Sequence, residues 1–441
     1  MDIITAYLLG KLKEEIYMMQ PEGFVRMAMK RNMVCRLLRS LYGLKQAARV
    51  WNQKIHAFLL KLGFIRSNAD PCLYIDVKRR LYITIWVDDL LISGKDGKHI
   101  ADVKAQLAGE FEMKDLGRLE HFLGMRIMRN PNGEISIDQN GYIRQILERF
   151  GMEASKPVST PIAAGARLVI GETDSNSDIK QYQAMIGSLM YAMLCTRPDL
   201  AYAIQQLSQF NANPTNAHLQ AAKRVFRYLK GTQTTGLIYG KCNGDITIQG
   251  YCDADYAADG DRKSISGYVF TLAGSPISWQ AKKQTTVAQS TVEAEYAAMA
   301  HAAKEMIWLQ YLLKDLGMSK YAPTTLFCDN QGAISLAKNP THHAKMKHVD
   351  VQLHFIRDHI EKGTIRVEYC PTEDMLADLM TKGLARERHV RLMGMMEMGT
   401  CEVTNTTPSS FVDGRESQRK DGQHGMESTS GSVELRGYHA V

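Results

Sequence analysis

The chain has 441 residues, is 45% hydrophobic and carries a formal net charge of +7. That length allows two or three domains, and that apolar content excludes a wholly disordered chain. The mild basic excess permits a nucleic-acid partner without requiring one.

Residues 1–150 alternate short strand-like and helix-like runs. Helices are predicted over 46–62 and 97–111, and an amphipathic helix in "NGYIRQILERF" (140–150). Strands are predicted at 81–87 and 90–93, and at 123–128 and 134–138, the last two around the turn signal "NPNG". "SKPVSTPIAAGA" (155–166) reads as a linker or surface loop. Residues 181–230 carry apolar spacings of three and four, broken by Pro198 and Pro214, and predict three helices.

A new unit starts near 241. Three strands come first ("DITIQGYCDADYA", "SGYVFTLAG", "PISWQAK"), then a long helix over about 289–316. A strand at 324–329, helices from Asn330 and around 349–361, a strand at 364–370 and a helix from Thr372 follow. This order predicts a mixed five-stranded sheet flanked by helices. The fold class is therefore multidomain, α+β and α/β. The expected division is 1–155, a helical 156–240, 241–392, and a polar, Ser/Gly-rich disordered tail over 393–441.

The eight cysteines (35, 72, 195, 242, 252, 328, 370 and 401) form no CxxC pair. This argues against a zinc ribbon or a disulfide framework and fits a reducing compartment. No apolar run reaches about 18 residues, so no membrane span is expected. The first residues lack the basic region of a signal peptide.

In "ITIWVDDLLISG" (83–94) two aspartates separate two apolar runs. Aspartates at an exposed turn are usually just solvated. Carboxylates carried on a hairpin can instead hold Mg²⁺, whose preferred ligands are hard oxygens. Two such ions about 3.5–4 Å apart stabilise both oxygens of a phosphoryl displacement, but that chemistry needs a third acid from elsewhere. The unit after 241 offers a second set. Asp253 or Asp255 ends the first strand, Glu293 or Glu295 lies early in the long helix, Asp329 ends the fourth strand, and Asp378 lies in the first turns of the final helix. Spacing alone does not choose within the two pairs.

"WVDDLLISG" resembles the YVDD box of reverse transcriptases, with Trp86 at the usual Tyr position. "MDIITAYLLGKLKEEIYMMQPEGF" (1–24) resembles the copia-type motif around the first catalytic aspartate. "SLYGLKQAARVW" (40–51) is similar to the copia-type SLYGLKQ segment near template and nucleotide. "RKSISGYVF", "SWQAKKQTTVAQSTVEAEYAA", "LFCDNQGAISLAKNP" and "TEDMLADLMTKGL" look like the copia-type ribonuclease H domain. The resemblance covers residues 1 to about 390, and it is to the Pol polyprotein of copia-type LTR retrotransposons. It implies a partial polymerase palm with Asp2, Asp88 and Asp89, a helical thumb and connection, and a ribonuclease H with Asp253, Glu295, Asp329 and Asp378.

The same resemblance implies two Mg²⁺ per site, with Mn²⁺ as an alternative. The implied partners are an RNA template, a DNA primer, dNTPs, RNA–DNA hybrid and other element-encoded proteins, in a cytoplasmic particle or the nucleus. One residue precedes Asp2, so the fingers region is expected to be missing, Asp2 loosely held and polymerisation impaired. The rival expectation is an inactive nucleic-acid-binding relic.

Arg26, Lys30, Arg31, Arg36, Arg39, Lys45 and Arg49 crowd one window. Such runs are usually solvated faces, but Lys45, Gln46 and Arg49 are candidate nucleic-acid contacts, as are Arg262, Lys282 and Lys283. His342, His343, His348, His354 and His359 lack metal-ligand spacing. Lys345, Lys347 and His348 form a further basic cluster. Trp51 and Trp279 are expected in the core.

Overall fold

The computed structural model describes residues 1–23, 33–166, 168, 178–240, 247–258, 260–318, 323–338 and 350–401, with backbone alone for 350–353. Arg26, Lys30, Arg31, His342, His343, Lys345, Lys347 and His348 lie outside them. The described residues pack as one compact unit.

The first sheet has the strand order Ile65–Arg66, Leu73–Asp76, Leu81–Trp86, Asp89–Gly94, Asp2–Ile3, Met113–Lys114. Its inner face follows from alternation. Leu81, Ile83 and Ile85 are buried, and they pack with Trp51, Ile55 and Leu59 of helix Ala47–Lys61. Asp2 is not loose. Ile3 N–H donates to Asp88 O at 2.9 Å, and Leu90 N–H donates to Met1 O at 2.8 Å. Asp2 stands opposite both Asp89 and Lys114. Backbone pairing on two sides overrides the fraying expected of a chain end.

A second, antiparallel sheet runs Met398–Thr400, Thr235–Tyr239, Ile135–Asp138, Met125–Arg129, His121–Phe122. It corrects the expected tail boundary at 393. Residues 393–395 close helix Arg386–Met395, and Met398–Thr400 is an ordered strand. The cause is a short run of methionines, Met393, Met396 and Met398, buried with Leu392 and Leu237. Residues after 401 lie outside the described part. Helix Asn140–Arg149 starts on Asp138, whose Oδ1 accepts from Asn140 N–H at 2.9 Å.

Helices Ile179–Cys195, Ala201–Ser208 and Asn216–Gly231 are separated as the two prolines require. Arg197, fully buried, forms a two-pronged pair with Asp199 at 2.9 and 2.7 Å and donates to Thr232 O and Oγ1 at 2.9 and 2.8 Å. Tyr228 donates to Asp199 at 2.7 Å and meets His389 Nε2 at 3.1 Å. Burial alone would raise Asp199, but the arginine holds it below the usual carboxylate range.

The third sheet runs Ser275–Lys283, Ile265–Leu272, Ile248–Asp255, Thr324–Cys328, Ile365–Tyr369. The first three strands are antiparallel and the last two add in parallel. Helix Thr291–Asp315 packs against Ile248–Asp255 and Ile265–Leu272. The short helix Asp378–Thr381 lies against Gly267, where a Cβ would come within 2.6 Å of Met380 and Thr381.

Truncating Arg197 to Ala leaves Asp199 buried without its counter-charge, with the Tyr228 bond as its remaining side-chain donor among the described contacts. The expected loss is about 3–5 kcal/mol of unfolding free energy, read by urea denaturation. A change below about 1 kcal/mol would mean that the pair does not hold this region.

Candidate carboxylate sites

Asp88 lies in a two-residue hairpin turn and Asp89 opens the returning strand, paired with Trp86. The turn needs a positive φ at Val87 (54°), a position where β-branched residues are disfavoured. Trp51 Nε1 holds it by donating to Val87 O at 2.7 Å. The pairing Asp2 opposite Asp89 brings the third acid to the same edge. Tyr42 donates to Asp88 Oδ2 at 3.1 Å, while Oδ1 is buried with no hydrogen-bond partner among the described residues. Burial first, and then the Asp2 charge, raise both Asp88 and Asp89; the Tyr42 bond opposes this at Asp88. Three carboxylates therefore repel one another around an unmet acceptor, a donor set of the hard-oxygen kind that suits Mg²⁺.

The second site forms at the carboxyl ends of two adjacent parallel strands. Asp253 is near the end of Ile248–Asp255, and Asp329 directly follows Thr324–Cys328. Helix Thr291–Asp315, capped by Ser290, lays Glu295 over them. Ligand atoms of Glu295, Cys328 and Asp329 lie within 4.8 Å of one another. Asp378 reaches the site from its short helix. The two glutamates early in the helix differ in their bonding. Glu293 is turned back to accept from Gln289 N–H at 2.8 Å, whereas Glu295 Oε2 is buried with no hydrogen-bond partner among the described residues.

Electrostatic strain is larger here. Burial, then the Asp253, Cys328 and Asp329 groups, push Glu295 up to about 10. Burial and Asp253 push Asp378 up to about 7 against the pull of Lys382 and Arg388. Lys382 Nζ bridges Asp253 Oδ1 at 3.1 Å and Asp378 Oδ1 at 2.7 Å. Thr381 Oγ1 donates to Asp253 Oδ2 and Arg388 to Asp378 Oδ2. Thr372 Oγ1 donates to Asp329 Oδ2 at 2.8 Å. Sequence reasoning missed Lys382, Thr381, Arg388, Thr372 and Tyr42. Only Lys382 left a signal, as a basic residue four positions after Asp378.

Lys45 and Arg49 are exposed, and Gln46 half-buried, at the start of helix Ala47–Lys61, close in sequence to Tyr42. Arg262 and Lys282 are exposed, but Lys283 is engaged by Asp261 at 3.0 Å and Gln209 at 2.7 Å. Trp51 is core, as expected, and Trp279 is half-buried with its Nε1 donating to Met193 O at 3.0 Å. His359 meets Thr364 Oγ1 at 2.9 Å. No helix of the described residues is long and apolar enough to cross a membrane.

Residues 1–164 match the reverse transcriptase (RNA-dependent DNA polymerase) family model. Over 399 residues the chain is 43% identical to the retrovirus-related Pol polyprotein from transposon TNT 1-94 of Nicotiana tabacum, covering 88% of this chain and 30% of that protein. It is 35% identical to the putative transposon Ty5-1 protein of Saccharomyces cerevisiae, over 69% of this chain and 100% of that one. A foamy viral protease–reverse transcriptase solved with RNA/DNA hybrid is 14% identical, covering 93% of this chain and 49% of that one, with a TM-score of 0.44.

Because Glu295 holds its proton in the folded protein and loses it at ordinary carboxylate pH when unfolded, metal-free stability falls as pH rises from about 4.5 towards about 10. Glu295→Gln should flatten that slope and stabilise the metal-free chain at pH 8 by roughly 1–3 kcal/mol. Thermal melts in chelator across pH check this; an unchanged slope would contradict the burial of this carboxyl.

Proposed function

Since the chain belongs to the copia-type retrotransposon Pol polyproteins, as a piece spanning 30% of the tobacco relative's length, we propose that it carries two metal-dependent phosphoryl-transfer sites. Asp253, Glu295, Asp329 and Asp378 are those of a ribonuclease H that cuts RNA in RNA–DNA hybrids. Asp2, Asp88 and Asp89 are those of an RNA-directed DNA polymerase. The observation that carries the reading is Glu295 Oε2, a buried acceptor with no hydrogen-bond partner among the described residues, on a carboxylate that has a ligand atom within 4.8 Å of one of Asp329. Such an atom is stable when protonated or when a cation reaches it.

Mg²⁺, or Mn²⁺, held by Asp253, Glu295, Asp329 and Asp378 would activate water against the phosphodiester and neutralise the departing oxygen; held by Asp2, Asp88 and Asp89 it would activate a primer 3′-hydroxyl against the α-phosphate of a nucleotide, with pyrophosphate leaving. The chain's own part is positional. The parallel strand pair sets Asp253 and Asp329 side by side, Thr372 orients Asp329, and the Ser290 cap fixes the helix that carries Glu295. At the first site Tyr42 orients Asp88, and the hairpin register aligns Asp89 with Asp2. Exposed Lys45 and Arg49 suit phosphate contacts of a template duplex. A cleft of about 850 Å³ opens on the Asp89 side, with Leu90–Gly94 and Arg129 in its walls, and can admit a primer strand.

Cleavage of a labelled RNA–DNA hybrid by the purified chain should require Mg²⁺ or Mn²⁺. Asp329→Asn should lose about 10²-fold or more of the rate, the scale of several kcal/mol of charge stabilisation. A chain that binds hybrid in a salt-dependent way but never cuts it is the inactive relic instead. Primer extension on an RNA template tests the first site separately, with Asp88→Asn as its control; synthesis that survives this substitution would remove Asp88 from the reaction.

A further inference from the structure

Lys382 is a half-buried charge that the ribonuclease H reading leaves without a role. Its Nζ lies 3.1 Å from Asp253 Oδ1 and 2.7 Å from Asp378 Oδ1. Both aspartates are essentially inaccessible, at 1% and 0%. Their other oxygens are already occupied: Thr381 donates to Asp253 Oδ2 and Arg388 to Asp378 Oδ2. The two Oδ1 atoms thus face one cation, and that cation is an ammonium. On the other side the pattern reverses. Among the described residues Glu295 Oε2 has no hydrogen-bond partner, and Asp329 accepts only the bond from Thr372. One half of the acid cluster is satisfied without metal, and the other half is not.

We propose that Lys382 fills one of the two cation positions of the nuclease site in the metal-free protein, so that its ions load in order. The first ion meets ligands at Glu295 and Asp329 that no ammonium occupies. The second, shared by Asp253 and Asp378, has to displace the lysine. The displacement is feasible in structural terms. Lys382 follows the last residue of helix Asp378–Thr381, its side chain retains 30% of its exposure, and an ammonium on a four-carbon stem can swing out without moving backbone. Lys382 is a positioning residue: it keeps two buried carboxylates together until metal arrives. This inference rests on the ribonuclease H reading.

Calorimetric titration of the full chain with Mn²⁺, beside melts in chelator, tests it. Unmodified protein should bind one ion tightly and one weakly. Lys382→Met should strengthen the weak ion about tenfold or more, the scale of one lost competing charge. It should also lower the metal-free melting temperature, with the loss recovered on adding Mn²⁺. Binding of the weak ion that is unchanged or poorer in Lys382→Met would overturn the proposal.

If the Met variant does not fold even with Mn²⁺, Lys382→Arg decides. A planar guanidinium that grips both carboxylates should weaken the second ion about tenfold, and unchanged affinity would overturn the idea. Hybrid cleavage that depends on Asp329 leaves the ribonuclease H reading intact in either case. An unmodified chain that binds no Mn²⁺ overturns that reading as well.

Discussion

Repulsion between neighbouring carboxylates is the constraint around which this chain is built. Asp253, Glu295 and Asp378 are all buried, and each charge raises the cost of the next. Left alone they would part, because unpaired buried charge is among the most expensive things a fold can hold. Rigid neighbours keep them together. Two parallel strands fix Asp253 and Asp329. Gly267 lets the short Asp378 helix come against the sheet, where a Cβ would collide with Met380 and Thr381. The remaining strain is met by protonating Glu295 and by donors from Lys382, Arg388 and Thr381.

The same long helix serves both ends of the molecule. Glu295 lies in its second turn. Twenty residues later, about 30 Å along a straight helix, Asp315 accepts from Ser67 Oγ at 2.7 Å and Asn68 N–H at 2.9 Å. Trp308 donates to Ala69 O at 2.9 Å, and Tyr82 to Leu316 O at 3.1 Å. The loop 67–70 and the hairpin strand Leu81–Trp86 are therefore tied to the element that carries Glu295. The Arg197–Asp199–Tyr228–His389 network makes a second tie, between the helical segment and helix Arg386–Met395. Buried ion pairs of this kind resist the loss of one member strongly, whatever their net worth.

Periodicity made most elements legible. Alternation placed the hairpin strands to within a residue or two, and prolines divided the three central helices. The candidate acids stood out in the sequence because they fall in turns or near the ends of elements. Which of Glu293 and Glu295 is bonded back to the loop before the helix was not legible, since it depends on how the helix meets the sheet. The Val87 turn was illegible by local rules, because nothing in a Val-Asp pair favours φ > 0; it exists because Trp51, 36 residues earlier, accepts its geometry by bonding Val87 O. The ordered residues 393–401 were hidden in a polar neighbourhood, where three methionines outweigh the composition around them. Lys382 was visible as a charge but not as a counter-charge, for that role needs Asp253, 129 residues away, at 3.1 Å.

The two acid sites differ in a way that follows from burial. Around Asp2, Asp88 and Asp89 the groups are only partly covered, and among the described contacts of their side chains no lysine or arginine bridges them. Repulsion there is moderated by solvent, so the site can wait with its acceptors open. Cations bound mainly by one or two carboxylates depend on other oxygens to complete their shell, and substrate phosphates can supply them. Around Asp253 and Asp378 solvent is excluded, so the fold must bring its own positive charge to survive without metal. On the proposed reading, the open site gains its charge balance from whatever it binds. The closed one carries that balance internally and has to give it up before it can work.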